Sequence, residues 1–275
     1  MSGALPAEVR RVTDFGAVGR LWRDLEARAA DVPLFRTWTW VGCLAEERFD
    51  DPWLVLVAED GRPCAAALFN RRRGTLCLGE SGDDERDSPF VEHNGPILAA
   101  DAPPAALRAL FAAAWRVPGV RRLRLGGVAP DLPERAGGVS GVTVLRPLFW
   151  IDLERTRQAG DPLAHLSANS RSQMRRALRA FGGEAARLEP APGPKALDAF
   201  IAAHQAWWQA RGKPGAFARP FMRRFHADLL ARGEASGEVA LRVLRAPDGR
   251  AAAWLHLLRR GGHVAAYQSA VACDA

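Results

Sequence analysis

The sequence predicts an α/β protein built twice over, with mixed, mostly antiparallel sheets flanked by helices. Three observations carry this. First, Asp-Gly-Arg followed by an apolar run and a basic turn occurs at Asp60-Gly61-Arg62 through Arg71-Arg72, and again at Asp248-Gly249-Arg250 through Arg259-Arg260. A single offset carries both landmarks of the first copy onto the second without a gap, as duplication requires. Second, two segments of helical period precede each copy. Third, 275 residues with 48% hydrophobic content give length for about two domains of roughly 150 residues and a core for each.

In the first copy, Val18 to Ala30 (Leu21, Trp22, Leu25) and Thr37 to Arg48 (Trp40, Val41, Leu44) place apolar residues at helical spacing. Trp53 to Ala58 is β-branched and apolar, Asp60-Gly61 supplies a turn that favours positive φ, and Cys64 to Phe69 returns. Arg73-Gly74 then turns into Thr75 to Leu78. In the second copy, Lys195 to Arg211 (Leu197, Phe200, Ile201, His204, Trp208) and Pro220 to Arg232 (Phe221, Phe225, Leu229) are the helices. Pro220 suits a first turn and Gly233 a C-terminal cap. Val239 to Leu244 alternates, Pro247-Asp248-Gly249 turns, Ala252 to Leu258 returns, Gly261-Gly262 turns, and His263 to Ala270 closes a three-stranded meander.

Beyond the meanders the copies part. The first continues with a polar loop (Glu80 to Asn94), a helix from about Pro104 to Trp115, a strand at Val120 to Leu125 and extended segments near Val142 to Leu153; the second continues only with Val271 to Ala275. The expectation is a first half at 1–150 and an incomplete second half at 151–275, cut short of its last helix and strands.

No apolar run reaches the ~18 residues of a membrane span, and Met1 to Arg11 lacks the order of a signal peptide. Stable membrane insertion is therefore not expected, and a cytoplasmic location is. Cys43, Cys64, Cys77 and Cys273 have no paired spacing, so neither a zinc site nor a disulfide framework is indicated. Charge is uneven: 1–150 carries 19 Lys or Arg against 20 Asp or Glu, and 151–275 carries 19 against 11, a net +8. The second half should prefer an anionic partner.

The densest basic feature is Ser167-Ala168-Asn169-Ser170-Arg171-Ser172-Gln173-Met174-Arg175-Arg176-Ala177-Leu178-Arg179. Ser167, Asn169 or Ser170 can cap a helix there, Met174, Leu178 and Phe181 form an apolar stripe, and Gly182-Gly183 ends it. Arg171, Arg175 and Arg179 share a face, with Arg176 beside them. This is either an anion clamp, since guanidinium groups bind phosphate or carboxylate as a fork, or a solvated helix face.

From here to the C-terminus the chain resembles the CelD-type acyltransferases, a branch of the GNAT superfamily associated with cellulose and exopolysaccharide production. The residues are Leu166 to Arg176, His204 with Trp207-Trp208, Arg211-Gly212-Lys213-Pro214-Gly215-Ala216-Phe217, Phe225-His226 and Tyr267-Gln268-Ser269. Weaker agreement lies at Trp38 to Trp40 and His93-Asn94-Gly95-Pro96. The resemblance implies two GNAT-like halves, related in architecture to the Fem-type peptidyltransferases. It also implies acetyl-CoA or another acyl-CoA as co-substrate, no metal, and transfer to an amine or hydroxyl of a small-molecule or saccharide acceptor. A homo-oligomer is compatible with it. In GNAT proteins acyl-CoA enters where the fourth strand splays from the fifth, and its pyrophosphate sits on the next helix N-terminus. Here that strand is His263 to Ala270, which places Gln268, Ser269 and Ala270 against the cofactor, Ala270 standing where the family usually has glycine. Arg171, Arg175, Arg176 and Trp208 fall to the substrate side.

Three residues are candidates for moving a proton. His204 matches the family position and titrates near neutrality, against a packing role on the stripe of Leu197, Ile201 and Trp208. His226 stands next to Phe225 on the following helix, and Tyr267, the one tyrosine, lies on the cofactor strand; packing competes for both. Glu80, Asp83, Asp84, Glu85, Asp87 and Glu92 form an acidic loop without the ligand order of a calcium site, so a solvated loop is expected. Trp38, Trp40, Trp207 and Trp208 read as core before they read as a stacking platform. An aminoacyl transferase using charged tRNA is the alternative, with the basic half on phosphate. A non-catalytic binding protein is the third reading.

Overall fold

A computed structural model describes residues 5–84, 87, 91–138, 141, 144–145, 147–180, 183, 188–246 and 248–272. Of the residues named above, Met1, Glu85, Val142, Phe181, Gly182, Pro247, Cys273 and Ala275 lie outside this set. The fold is α/β, with two mixed sheets flanked by helices in a tandem GNAT-like arrangement. Contacts group the chain into two compact units, 1–141 with 219–240 and 258–265, and 142–218 with 241–257 and 266–275.

In the first unit, β1 (Ala7–Arg11), β2 (Pro52–Glu59), β3 (Arg62–Arg72) and β4 (Thr75–Leu78) pair antiparallel in order. The short β5 (Ile97–Leu98) adds to β3, and β6 (Arg122–Arg124) pairs parallel with β4, Leu76 opposite Leu123. Asp60 at φ 49° and Gly61 at φ 79° make the two-residue turn that sets Glu59 opposite Arg62, the geometry whose twist matches paired strands. The sheet covers a core of Val55, Val57, Phe69, Leu76 and Leu78 against Leu107, Leu110 and Phe111 of α3 (Ala105–Ala114).

Helices α1 (Phe15–Arg28) and α2 (Trp38–Arg48) form where expected, α1 capped by Asp14, whose carboxylate accepts from Ala17 N at 3.0 Å. Glycine is required where they meet: a Cβ on Gly19 would lie 2.5 Å from the Trp38 indole. Trp38 and Trp40 are 3% and 0% exposed, which makes them core rather than a stacking platform. Trp40 meets Phe225 edge-on at 5.1 Å, and the Arg48 guanidinium covers Phe221 at 3.1 Å. Both phenylalanines lie on α8 (Pro220–Gly233), which groups with α2. Gly233 is no left-handed cap, since Glu234 after it stays α-helical. It is glycine because a Cβ there would stand 2.4 Å from Val239.

The second sheet runs β10 (His263–Val271), β9 (Ala251–Arg260), β8 (Val239–Arg245), β7 (Leu188–Pro190). On β8, Val239, Leu241 and Val243 are buried and their neighbours half-buried, the period of a strand with one covered face. In this second Asp-Gly turn Gly249 has positive φ, and the Asp248 carboxylate accepts from Arg250 N at 3.0 Å. Helix α7 (Pro194–Gln209) opens on Pro194 and buries Leu197, Phe200, Ile201, His204 and Gln205.

Two expectations fail in this unit. No strand occurs among the described residues of 142–153: the Asp152 carboxylate accepts from Arg155 N at 2.9 Å and starts helix α5 (Leu153–Ala159), local capping outweighing β propensity. Helix α6 (Ala168–Ala180) is capped by Ser167, whose Oγ accepts from Ser170 N at 3.2 Å. None of its residues is buried, so Met174 and Leu178 are exposed rather than packed. Phe149 and Trp150 are exposed as well. In the first unit, α4 (Leu132–Arg135) was not foreseen.

Candidate functional site

His204 is fixed by the residues that follow it in the chain. Four positions on, one helical turn, the Trp208 indole N–H donates to His204 Nε2 at 3.0 Å. An indole nitrogen only donates, so Nε2 carries a lone pair there and the proton of the neutral ring is on Nδ1. That Nδ1 is buried and has no hydrogen-bond partner among the described residues. Burial lowers the His204 pKa from its ordinary value, opposed by the Gln205 side chain, so the ring is neutral at pH 7.

The segment after α7 is folded back by Gln205. Its Nε2 donates to Pro214 O at 2.8 Å and its Oε1 accepts from Phe217 N at 3.0 Å. Gly215 has φ 72°, and a Cβ there would stand 2.3 Å from Gln205 Oε1. The clamp sets the Phe217 ring edge-on to His204 at 4.9 Å. Arg211 lies over Trp207 at 3.6 Å, and Lys213 Nζ is 5.5 Å from Trp208. The Arg211-to-Phe217 run thus works as a shaped wall around His204 rather than as a set of free charges.

A residue the sequence reading passed over completes the cluster. His256, on β9, is fully buried, and burial pushes its pKa down to about 4. Phe200 lies between the two histidines, 6.2 Å from His204 and 6.0 Å from His256, and His256 meets Tyr267 edge-on at 6.1 Å. His204, Phe200, His256 and Tyr267 therefore form a column from α7 to β10. The signal in the sequence was strand period: Ala252, Trp254, His256 and Leu258 are the inward positions of β9. The duplication sharpens it, because the offset that matches Arg259 with Arg71 puts Leu68 opposite His256. Leu68 is 1% exposed. One copy fills this place with leucine and the other with a titratable ring, so the fold alone does not demand histidine.

The other expected site residues are distributed differently. His226 is buried on α8 beside Phe225 and groups with the first unit. Arg171 donates to Leu166 O, and Arg175 pairs with Asp161 at 2.8 Å; Arg175 and Arg176 are exposed. On β10, Tyr267 and Ser269 alternate with Gln268 and Ala270. Ala270 is 3% exposed, Ser269 is exposed, and Gln268 Oε1 is buried without a partner among the described residues.

Strand β10 ends its sheet, so among the described residues no neighbouring strand uses the backbone groups along its outer side. An edge with an orphaned amide oxygen fits an extended, amide-bearing arm such as pantetheine. Among the described residues, no helix follows β10 to receive a pyrophosphate. The acidic loop is bound to arginines: Arg72 with Asp83 at 2.9 Å, Arg124 with Asp84 at 2.7 Å and Glu80 at 3.3 Å. Among the described residues, no cluster of His, Cys, Asp and Glu is arranged to hold a metal ion.

Residues 168–275 match the family model of an acetyltransferase (GNAT) domain. The matched stretch holds α6, α7, α8 and all of β8 to β10, and therefore the whole His204 column. No curated protein matches the chain. The crystal structure of FemX is similar with a TM-score of 0.57, covering 97% of this chain and 81% of that one at 10% sequence identity, a likeness of fold. Among the described residues, no helix is long and apolar enough to cross a membrane.

Proposed function

We propose that the chain is an acyl-CoA-dependent acyltransferase acting on an amine or hydroxyl of a small molecule or an envelope or exopolysaccharide precursor. The observation that carries the reading is the column itself: within the GNAT-matched stretch, a neutral buried histidine is linked through Phe200 and His256 to the one tyrosine of the edge strand. The backbone of Tyr267 to Ala270, with the Gln268 amide, holds the donor's arm. The acceptor attacks the thioester carbonyl, the carbon–sulfur bond breaks, and the acyl group ends on nitrogen or oxygen. His204 Nε2 takes the acceptor's proton once the acceptor N–H or O–H has replaced the Trp208 indole. The departing thiolate takes its proton from solvent, and Tyr267 lines the donor strand. Arg171, Arg175 and Arg176 attract an acidic acceptor by charge.

The test is release of free CoA from acetyl-CoA by the purified chain against a panel of amine and hydroxyl acceptors. Release that depends on acceptor and falls about 100-fold in His204→Gln supports the reading. Failure of acetyl-CoA to bind defeats it. The second reading, aminoacyl transfer from charged tRNA, is favoured by the net +8 of 151–275. It requires tRNA binding that weakens steeply with salt, and a flat salt response rejects it.

A further inference from the structure

Arg36 is a half-buried cation in the first unit, and no carboxylate pairs with it among the described residues. Its place is closely determined. Its carbonyl accepts from the Trp22 indole at 2.8 Å, and its Nε donates to His93 O at 2.7 Å. His93 holds a left-handed φ of 49°, which is uncommon for a residue with a side chain. The guanidinium lies against Gly95, where a Cβ would stand 3.1 Å from its Cζ and Nε. Three features, a turned carbonyl, a missing side chain and an indole, thus converge on aiming one arginine.

What the arginine lines is an open cleft, walled by Leu98, Leu107 and Leu132 and flanked by Arg135. Arg135 is exposed and pairs with Asp131 at 3.3 Å. Burial lowers the Arg36 pKa below its ordinary value, and Arg135 lowers it further, against Asp31. A desolvated cation beside a second cation is an unfavourable arrangement in isolation. A planar fork above an apolar floor is suited to a bidentate anion carrying a short hydrocarbon stem.

We propose that this cleft binds a small organic anion, its carboxylate or phosphate on the Arg36 fork, its stem on Leu98, Leu107 and Leu132, and Arg135 at the mouth. The site stands on the first unit's geometry and holds whether or not the acyl-transfer reading does.

The experiment is calorimetric titration of the full chain with inorganic phosphate and with butyrate, at an ionic strength held constant with chloride. One anion is expected to bind one per chain. Tighter butyrate identifies a carboxylate head with a stem, and tighter phosphate a phosphoryl head. Arg36→Lys keeps the charge but loses the fork and should weaken binding about tenfold or more. Arg135→Gln, at a surface position that cannot unfold the core, should weaken it about threefold to tenfold. Arg20→Gln, on an exposed face of α1, should bind as the unaltered chain does. Binding no tighter than chloride for both anions, or unchanged affinity in both Arg36→Lys and Arg135→Gln, overturns the proposal.

Discussion

Strands β4 and β10 start at matching places in the two copies and meet different surroundings. Beside β4 runs β6, parallel to it, and just past both strands Asn94 inserts. Its Nδ2 donates to Leu78 O at 2.8 Å and Gly126 O at 2.9 Å, its N to Gly127 O at 2.8 Å, and its Oδ1 accepts from Gly95 N at 2.8 Å. Asn94 thereby stoppers the ends of both strands, occupying Leu78 O and Gly126 O. Among the described residues strand β10 has no outer partner in its sheet, and the buried place that holds Leu68 in the first copy holds His256 in the second. The difference is one of surroundings: the first copy's strand ends are met by its own polar side chain, while the second has, among the described residues, an uncovered edge beside a titratable column.

Breaking the stopper should have the largest effect. Gly127 has φ 65°, and a Cβ there would stand 1.9 Å from Val91 O, so Gly127→Ala should abolish cooperative folding as followed by denaturant titration. Asn94→Ala leaves buried carbonyls unsatisfied and should cost about 2–4 kcal/mol in the same measurement.

The next prediction concerns pH. The folded pKa of His256 lies below its unfolded value of 6.5, so the unfolded chain takes up the proton first. Stability from the neutral ring is complete above about pH 6.5 and is lost as pH falls toward about 4, on the order of 3 kcal/mol. His256→Leu, which copies the first half, should remove that acid limb while slowing transfer. An unchanged acid limb in the variant would show that other groups set it.

A smaller effect is expected at Trp208. The indole N–H stabilises the neutral His204 ring, so Trp208→Phe should raise the His204 pKa, read by NMR titration of the imidazole. Smallest is Arg175→Gln: the exposed pair with Asp161 should change stability by less than about 1 kcal/mol.

Much of this was legible in the sequence, for a physical reason. Both meanders and the helices before them appear within a few residues of where period and turn chemistry put them, because Asp60-Gly61 and Arg73-Gly74 are strong local signals. Strands β1, β5 and β7 were not seen. Their residues, such as Glu8 and Arg10 or the two-residue Ile97–Leu98, carry too little alternation, and pairing to a neighbour defines them. Arg36 and Asn94 escaped for a related reason: each acts through backbone groups distant in sequence. His256 was hidden in an apolar run, where inward direction is visible only once the strand's phase is known. Met174 and Leu178 show the converse, a helical stripe that period reveals and packing does not use.

The central claim is that the donor docks on the second copy's open edge and not on the first copy's filled one. Amide hydrogen exchange with and without acetyl-CoA tests it most directly. Slowed exchange along His263–Val271, with Thr75–Leu78 unchanged, is the predicted result. Protection confined to Thr75–Leu78, or none at either strand under saturating acetyl-CoA, would contradict it.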